Sequence, residues 1–201
     1  RKLGKEDKIA FSLLNIGQMY QSLGQLDKAM DNFQQALVIV RRLGKEEEIT
    51  LALNSIGLVY RSLGQYDKAI KHYQQALVIV RRLGKGDRIA SSLIDIGGAY
   101  SEWSKYDKAM ENFQQALTLF RKLGNEDRIA ASLSHIGRMY NSWGKYDKAM
   151  ENYQQVLTLY RKLGNEYNVA LTLFNIGKVY ESLGQHDKAI ENFQQALAIH
   201  R

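Results

Sequence analysis

The 201-residue sequence predicts an all-α solenoid of five helix-turn-helix repeats, and three observations carry that reading. The chain aligns on itself with a period of forty residues and no slippage, in copies 1–40, 41–80, 81–120, 121–160 and 161–200. Such a period marks an array in which each unit buries its apolar face against the next. Apolar residues recur at helical spacing twice per copy. Stop residues, nearly always glycine, close these segments at repeated places.

Copy one supplies Leu13, Ile16, Gly17 and Tyr20 in its first segment and Ala29, Phe33 and Ala36 in its second. Copy two shows both stripes fully: Ile49, Leu53, Ile56, Gly57, Tyr60 and Leu63, then Ala69, Tyr73, Ala76, Leu77, Val80 and Leu83. Two amphipathic helices follow. The first stops at Gly64 and the second at Gly84, each supplying the left-handed residue beyond a helix end. Asp67 starts the second helix, where a carboxylate meets unpaired N–H groups and the positive dipole end. The small Ala69 lets the two helices approach.

Copy three departs from the pattern, because Ser104 in "SEWSKYDKAM" (101–110) stands where the others have glycine. A left-handed backbone there would cost about 1–2 kcal/mol and weaken the turn. Copies three and four carry Trp103 and Trp143 in place of leucine at the end of the first helix. An indole there either anchors a partner or fills the space between repeats as a larger wedge. Copy four has Val156 for the second-helix alanine. Copy five stops at Arg201, leaving Phe193, Ala196 and Leu197 to face a missing neighbour, so end-to-end stacking of copies is expected to be possible. The chain opens on Arg1-Lys2-Leu3-Gly4 without methionine, and is read as part of something longer.

Composition narrows the function. Apolar residues are 45% and charged residues 24%, an ordinary folded balance. No apolar run approaches the roughly 20 residues of a membrane span. The absence of cysteine excludes disulfides and thiolate chemistry and fits a reducing, cytoplasmic setting. The net charge of +7 is spread along the array, with +1, +2, +1, +2 and 0 per copy and Arg201 as the last unit. Its most regular component is four doublets, Arg41-Arg42, Arg81-Arg82, Arg121-Lys122 and Arg161-Lys162. Each closes an apolar-periodic segment, where cations complement the negative end of a helix dipole. No aromatic stacking row accompanies them, so nucleic-acid binding is not favoured.

The order Leu13, Ile16-Gly17, Tyr20, Ala29, Phe33, Ala36, recurring as Leu53, Ile56-Gly57, Tyr60, Ala69, Tyr73, Ala76 and in the later copies, resembles the tetratricopeptide repeat. The resemblance covers essentially the whole chain and implies a right-handed superhelix whose first helices line a concave groove. Two departures matter: the family unit is about 34 residues with a proline near its end, whereas here it is forty and there is no proline. Longer helices should deepen the groove walls. The longer unit is similar to Pins-type spindle-orientation scaffolds, kinesin light chains and bacterial arrays, which implies binding of an extended or short helical segment of a partner protein.

Carrying the family's inner positions over gives Phe11, Leu14, Gln18 and Gln21 in copy one; Leu51, Asn54, Leu58 and Arg61 in copy two; and Ser91, Ile94, Gly98 and Ser101 in copy three. Copy four gives Ala131, Ser134, Arg138 and Asn141, and copy five Leu171, Phe174, Lys178 and Glu181. These vary while turn and core positions repeat almost verbatim, as a binding surface on a shared scaffold would, and as drift at free surface sites would too. The apolar members are expected either to form an exposed patch or to be buried by the longer helices. Leu58, Ile94 and Phe174 are the expected anchors, and Arg61, Arg138 and Lys178 would favour an acidic ligand.

A second row, Asn15, Ser55, Asp95, His135 and Asn175, precedes each Ile-Gly. Relatives often place asparagine there to bond a ligand backbone, and only Asn15 and Asn175 retain it. Asp95 and His135 either pair with each other or mark a polar pocket. The lysine that chaperone-binding relatives use for a C-terminal carboxylate is replaced by Leu14, Asn54, Ile94, Ser134 and Phe174, which argues against that ligand class.

Catalytic chemistry finds no constellation. His72, His135, His186 and His200 occupy different repeat positions and form no i, i+4 ligand pair. Gly97-Gly98 sits inside a helical pattern with no preceding strand, unlike a phosphate loop. No enzyme activity, metal or cofactor is expected.

Overall fold

The structure is a computed structural model that describes residues 2–199, with side chains from Gly4 onward. Arg1, His200 and Arg201, and the side chains of Lys2 and Leu3, which figure in the sequence reading of charge, histidines and chain start, lie outside the described residues. Ten helices and no strand occupy the described residues: α1 (Lys2–Ser22), α2 (Leu26–Arg42), α3 (Glu46–Ser62), α4 (Tyr66–Arg82), α5 (Gly86–Glu102), α6 (Tyr106–Lys122), α7 (Glu126–Ser142), α8 (Tyr146–Lys162), α9 (Glu166–Ser182) and α10 (His186–Ile199). All-α architecture with two helices per forty residues is what the periodicity predicts.

Contacts divide the chain into two compact units, Arg1–Trp103 and Ser104–Arg201. In the first, α1 packs on α2, α2 on α3, α3 on α4 and α4 on α5; in the second the same order runs from α6·α7 to α9·α10. Phe33, Ala36, Leu37 and Val40 of α2 meet Ala52, Leu53, Ile56 and Val59 of α3 in one buried cluster. Each large aliphatic side chain so buried contributes about 1.5–3 kcal/mol.

Close approach inside a repeat depends on the Ile-Gly pair. A Cβ on Gly57 would lie 2.6 Å from the Tyr73 ring, so α4 seats its tyrosine only because α3 lacks a side chain there. The turn that follows is built as expected. After α3, Gly64 (φ +69°) donates to the Arg61 carbonyl at 3.0 Å and Gln65 to that of Tyr60 at 2.9 Å, the two bonds of a Schellman cap. Asp67 lies in the first turn of α4. Ser104 is the one non-glycine residue among those described with positive φ, +58°, so the strained turn anticipated from its sequence is present.

The cationic doublets close α2, α4, α6 and α8. Their second members also reach back to an acid near the start of the preceding helix: Arg42 to Glu6 at 3.0 Å, Arg82 to Glu46, and Lys162 to Glu126 at 2.5 Å. Repeat three has Gly86 at that position. No described helix is long and apolar enough to cross a membrane.

Candidate functional site

Leu51, Asn54, Leu58 and Arg61 stand on one stripe of α3, and Phe11 and Leu14 on the matching stripe of α1. In the first unit these stripes, with Arg88 and Ser91 of α5, border a cleft of about 440 Å³. Phe11 and Leu51 face it while remaining 65% and 52% exposed, an apolar display that water does not favour. Leu14 takes the buried alternative, packed with Ala10, Phe33 and Leu53 in the core. Asn54 is half-buried at the cleft, and its Oδ1 has no hydrogen-bond partner among the described residues.

Two acids edge the cleft. Glu47 is engaged by Lys85 and, at 3.6 Å, by Arg88, and these cations hold its carboxyl below the usual carboxylate range. Glu48 makes no ion pair among the described residues and stays at the rim.

Nearer the end of α3 the same face is filled. Arg61 donates from Nε to Glu102 Oε2 at 2.8 Å and from Nη2 to Oε1 at 2.5 Å, a two-pronged pair with the arginine side chain only 19% exposed. Its guanidinium lies flat over Gly98, where a Cβ would come within 3.2 Å of it. Beneath, Tyr73 bonds the guanidinium, and burial raises its phenol above the ordinary range. Asp95 completes the cluster: burial pushes its carboxyl up to about 6, although Arg61 pulls the other way. The Glu102 bond, the largest influence, raises the Arg61 pKa further, so that side chain is fully charged.

Two of the three expected groove cations have acidic neighbours. Arg61 is committed to Glu102, and Lys178 to Glu181 one turn along α9. Arg138 of α7 remains exposed and forms no ion pair among the described residues. Of the other expected site residues, Asn15 and Gln18 are exposed on α1, with Gln18 bonded to Gln21 at 3.3 Å. Leu58 is partly exposed and Ile94 half-buried. Ser55 of the polar row is buried.

In the second unit His135 stacks on Phe113 (5.9 Å between centroids), and Phe174 packs at 5.3 Å on Phe193 while staying exposed on its other side. Asn175 is half-buried, and Asn141, also half-buried, has an Oδ1 without a hydrogen-bond partner among the described residues. The tryptophans touch aromatic side chains of the preceding repeat: Trp103 lies 6.5 Å from Tyr66 of α4, and Trp143 stacks at 5.1 Å on Tyr106 of α6, whose hydroxyl donates to the Ser142 carbonyl. Among the described residues no group of three His, Cys, Asp or Glu side chains could hold a metal ion.

Sequence reasoning missed the Arg61 cluster, although it left a trace. Glu102 stands where the other copies have Ser22, Ser62, Ser142 and Ser182, and Gly98 where they have Gln18, Leu58, Arg138 and Lys178. Two departures one helical turn apart, beside a unique arginine in the preceding repeat, are the signature of a pair across repeats.

Family models described as tetratricopeptide repeat match residues 12–44, 47–122, 106–162 and 128–201. Comparison with curated proteins gave no match. Among solved structures, BtubC (BKLC) from P. vanneervenii is similar over 100% of this chain and 90% of its own, at 21% identity and a TM-score of 0.76. A putative kinesin light chain with nearly identical TPR-like repeats from Podosopora anserina matches 94% of this chain and 93% of its own (21%, 0.74). A Rap protein complexed with Competence and Sporulation Factor matches 94% of this chain and 53% of its own (20%, 0.81). At these identities the likeness is one of fold.

Proposed function

The chain belongs to the tetratricopeptide repeat family, and from that premise we propose that it is a protein-interaction scaffold whose first unit seats a peptide segment of a partner in the cleft between α1, α3 and α5. The observation that carries this reading is the pair of exposed apolar side chains, Phe11 and Leu51, bordering a cleft with a recessed carboxamide. A large apolar side chain of the ligand would cover Phe11 and Leu51, and Asn54 offers an acceptor to a ligand N–H. That a neighbour of the same fold was crystallised with Competence and Sporulation Factor supports a ligand-holding role for such arrays.

The partner's charge follows from the rim. With Arg61 paired internally and Glu48 open, the cleft itself favours a neutral or basic segment; Arg138 leaves an acidic contact to the second unit. A random-peptide phage library panned on the chain tests the reading. Selected peptides are expected to carry a large apolar residue and to lose at least tenfold in affinity against Leu51→Glu, about 1.4 kcal/mol. Binders indifferent to both Leu51→Glu and Phe11→Glu would overturn it.

A further inference from the structure

Positive charge is spread along the repeats, but across them it gathers at one edge. In the second unit, the edge where second helices end and first helices begin comprises residues 121–128 and 161–168, which carry five cations and three acids. The opposite edge, residues 104–111, 144–151 and 184–191, carries five cations and six acids. Little of the excess is consumed internally. Lys162 is bound by Glu126, but Arg121, Lys122 and Arg161 are exposed and form no ion pair among the described residues. Arg41 and Arg81, at the same register in the first unit, are likewise exposed and unpaired among those residues. The negative helix end draws such side chains to it and still leaves their N–H donors to water. Apolar groups stand beside them: Leu123 and Leu163 directly follow the doublets and are 52% and 42% exposed, whereas Leu43 and Leu83 of the first unit are half-buried. Both α6 and α8 already carry the helix pair that follows them, and these side chains lie at helix ends, not on the faces by which repeats stack, so a further repeat would not cover them.

We propose that this edge of the second unit is a docking surface for an acidic segment of a partner protein in which carboxylates are interspersed with apolar side chains. Charge complementarity selects that occupant. Arg121 and Arg161 each offer a planar fork that matches a carboxylate, and the leucine two residues on calls for an apolar neighbour in the ligand. A nucleic-acid backbone would bring unbroken negative charge against Glu126, Asp127 and Glu166 in the same two stretches, and would find no aromatic row on which bases could stack. A segment with spaced carboxylates avoids both penalties. The surface is separate from the cleft of the first unit, so the two readings fail independently.

Fluorescence anisotropy of a labelled peptide of Glu-Glu-Leu repeats, titrated with the full chain at about 50 mM salt, where exposed charges are weakly screened, tests this. The peptide is expected to bind. Arg121→Glu and Leu123→Ser should each weaken it by about fivefold or more. Lys71→Glu, an equal reversal of charge at an exposed lysine of the first unit, should change it by less than about twofold. Leu51→Ala, in the cleft, should leave it unchanged. All four positions are exposed, and unaltered thermal midpoints would confirm that the variants fold. No binding of the peptide, equal losses from Arg121→Glu and Lys71→Glu, indifference to both Arg121→Glu and Leu123→Ser, or tighter binding of a single-stranded oligonucleotide or of phosphatidylserine vesicles than of the peptide would each overturn the proposal.

Discussion

The inner stripe of α3 has two levels that behave oppositely. At Leu51 and Asn54 it borders an open cleft with bared apolar groups, and at Arg61, ten residues further along, it is closed by a salt bridge to Glu102 laid over Gly98. Helix, register and backbone are shared, so the side chains alone make the difference. Where the neighbouring repeat supplies a partner of opposite charge and an empty Cβ position, the face satisfies itself; where it supplies serine, as Ser91 does, the face stays unsatisfied. Membership of an inner row does not make a residue part of a binding site.

Breaking the closed level should have the largest effect. Arg61→Ala leaves Asp95 without its nearby cation and Tyr73 without its partner, and should cost about 2–3 kcal/mol in a denaturant titration. The same variant should raise the Asp95 pKa above its present value of about 6.

Next comes Asp95→Asn. The folded pKa of Asp95 lies above the unfolded value near 4, so the native state holds a proton that the unfolded chain releases between about pH 4 and 6. Stability from this group therefore falls as pH rises through that window and stays low above it. Asp95→Asn should be more stable than wild type by about 2–3 kcal/mol at pH 7 and close to it near pH 3.5, read from denaturation midpoints. A variant less stable at pH 7 would show that the Arg61 attraction outweighs burial.

Ser104→Gly, just after the helix that carries Glu102, relieves the one left-handed non-glycine backbone among the described residues and should add about 1 kcal/mol. The smallest change belongs to the open level: Leu51→Glu should alter stability by no more than about 0.5 kcal/mol, because the side chain packs on little. That near-silence in folding combined with a loss of peptide affinity would separate the cleft sharply from the closed level.

How far the sequence could be read follows the same division. The repeat length, both helices of each unit, the stop glycines, Asp67 and the strained Ser104 are local: each depends on residues within one turn of itself, so spacing reveals them. The site was legible only as a set of rows. That Leu14 turns into the core, that Ser55 is buried, and that Arg61 and Lys178 are already paired depend on what adjacent turns and repeats place opposite them. Phe11 and Leu51 belonged to those rows, but nothing in their spacing distinguished them from Leu14.

The most direct measurement places a benzophenone side chain at Leu51 in one sample and at Glu102 in another, and irradiates each with a library-selected peptide. Adducts at position 51 and none at position 102 are the predicted result. Adducts confined to position 102, or equal labelling at both, would contradict the assignment of the open cleft as the seat of the partner.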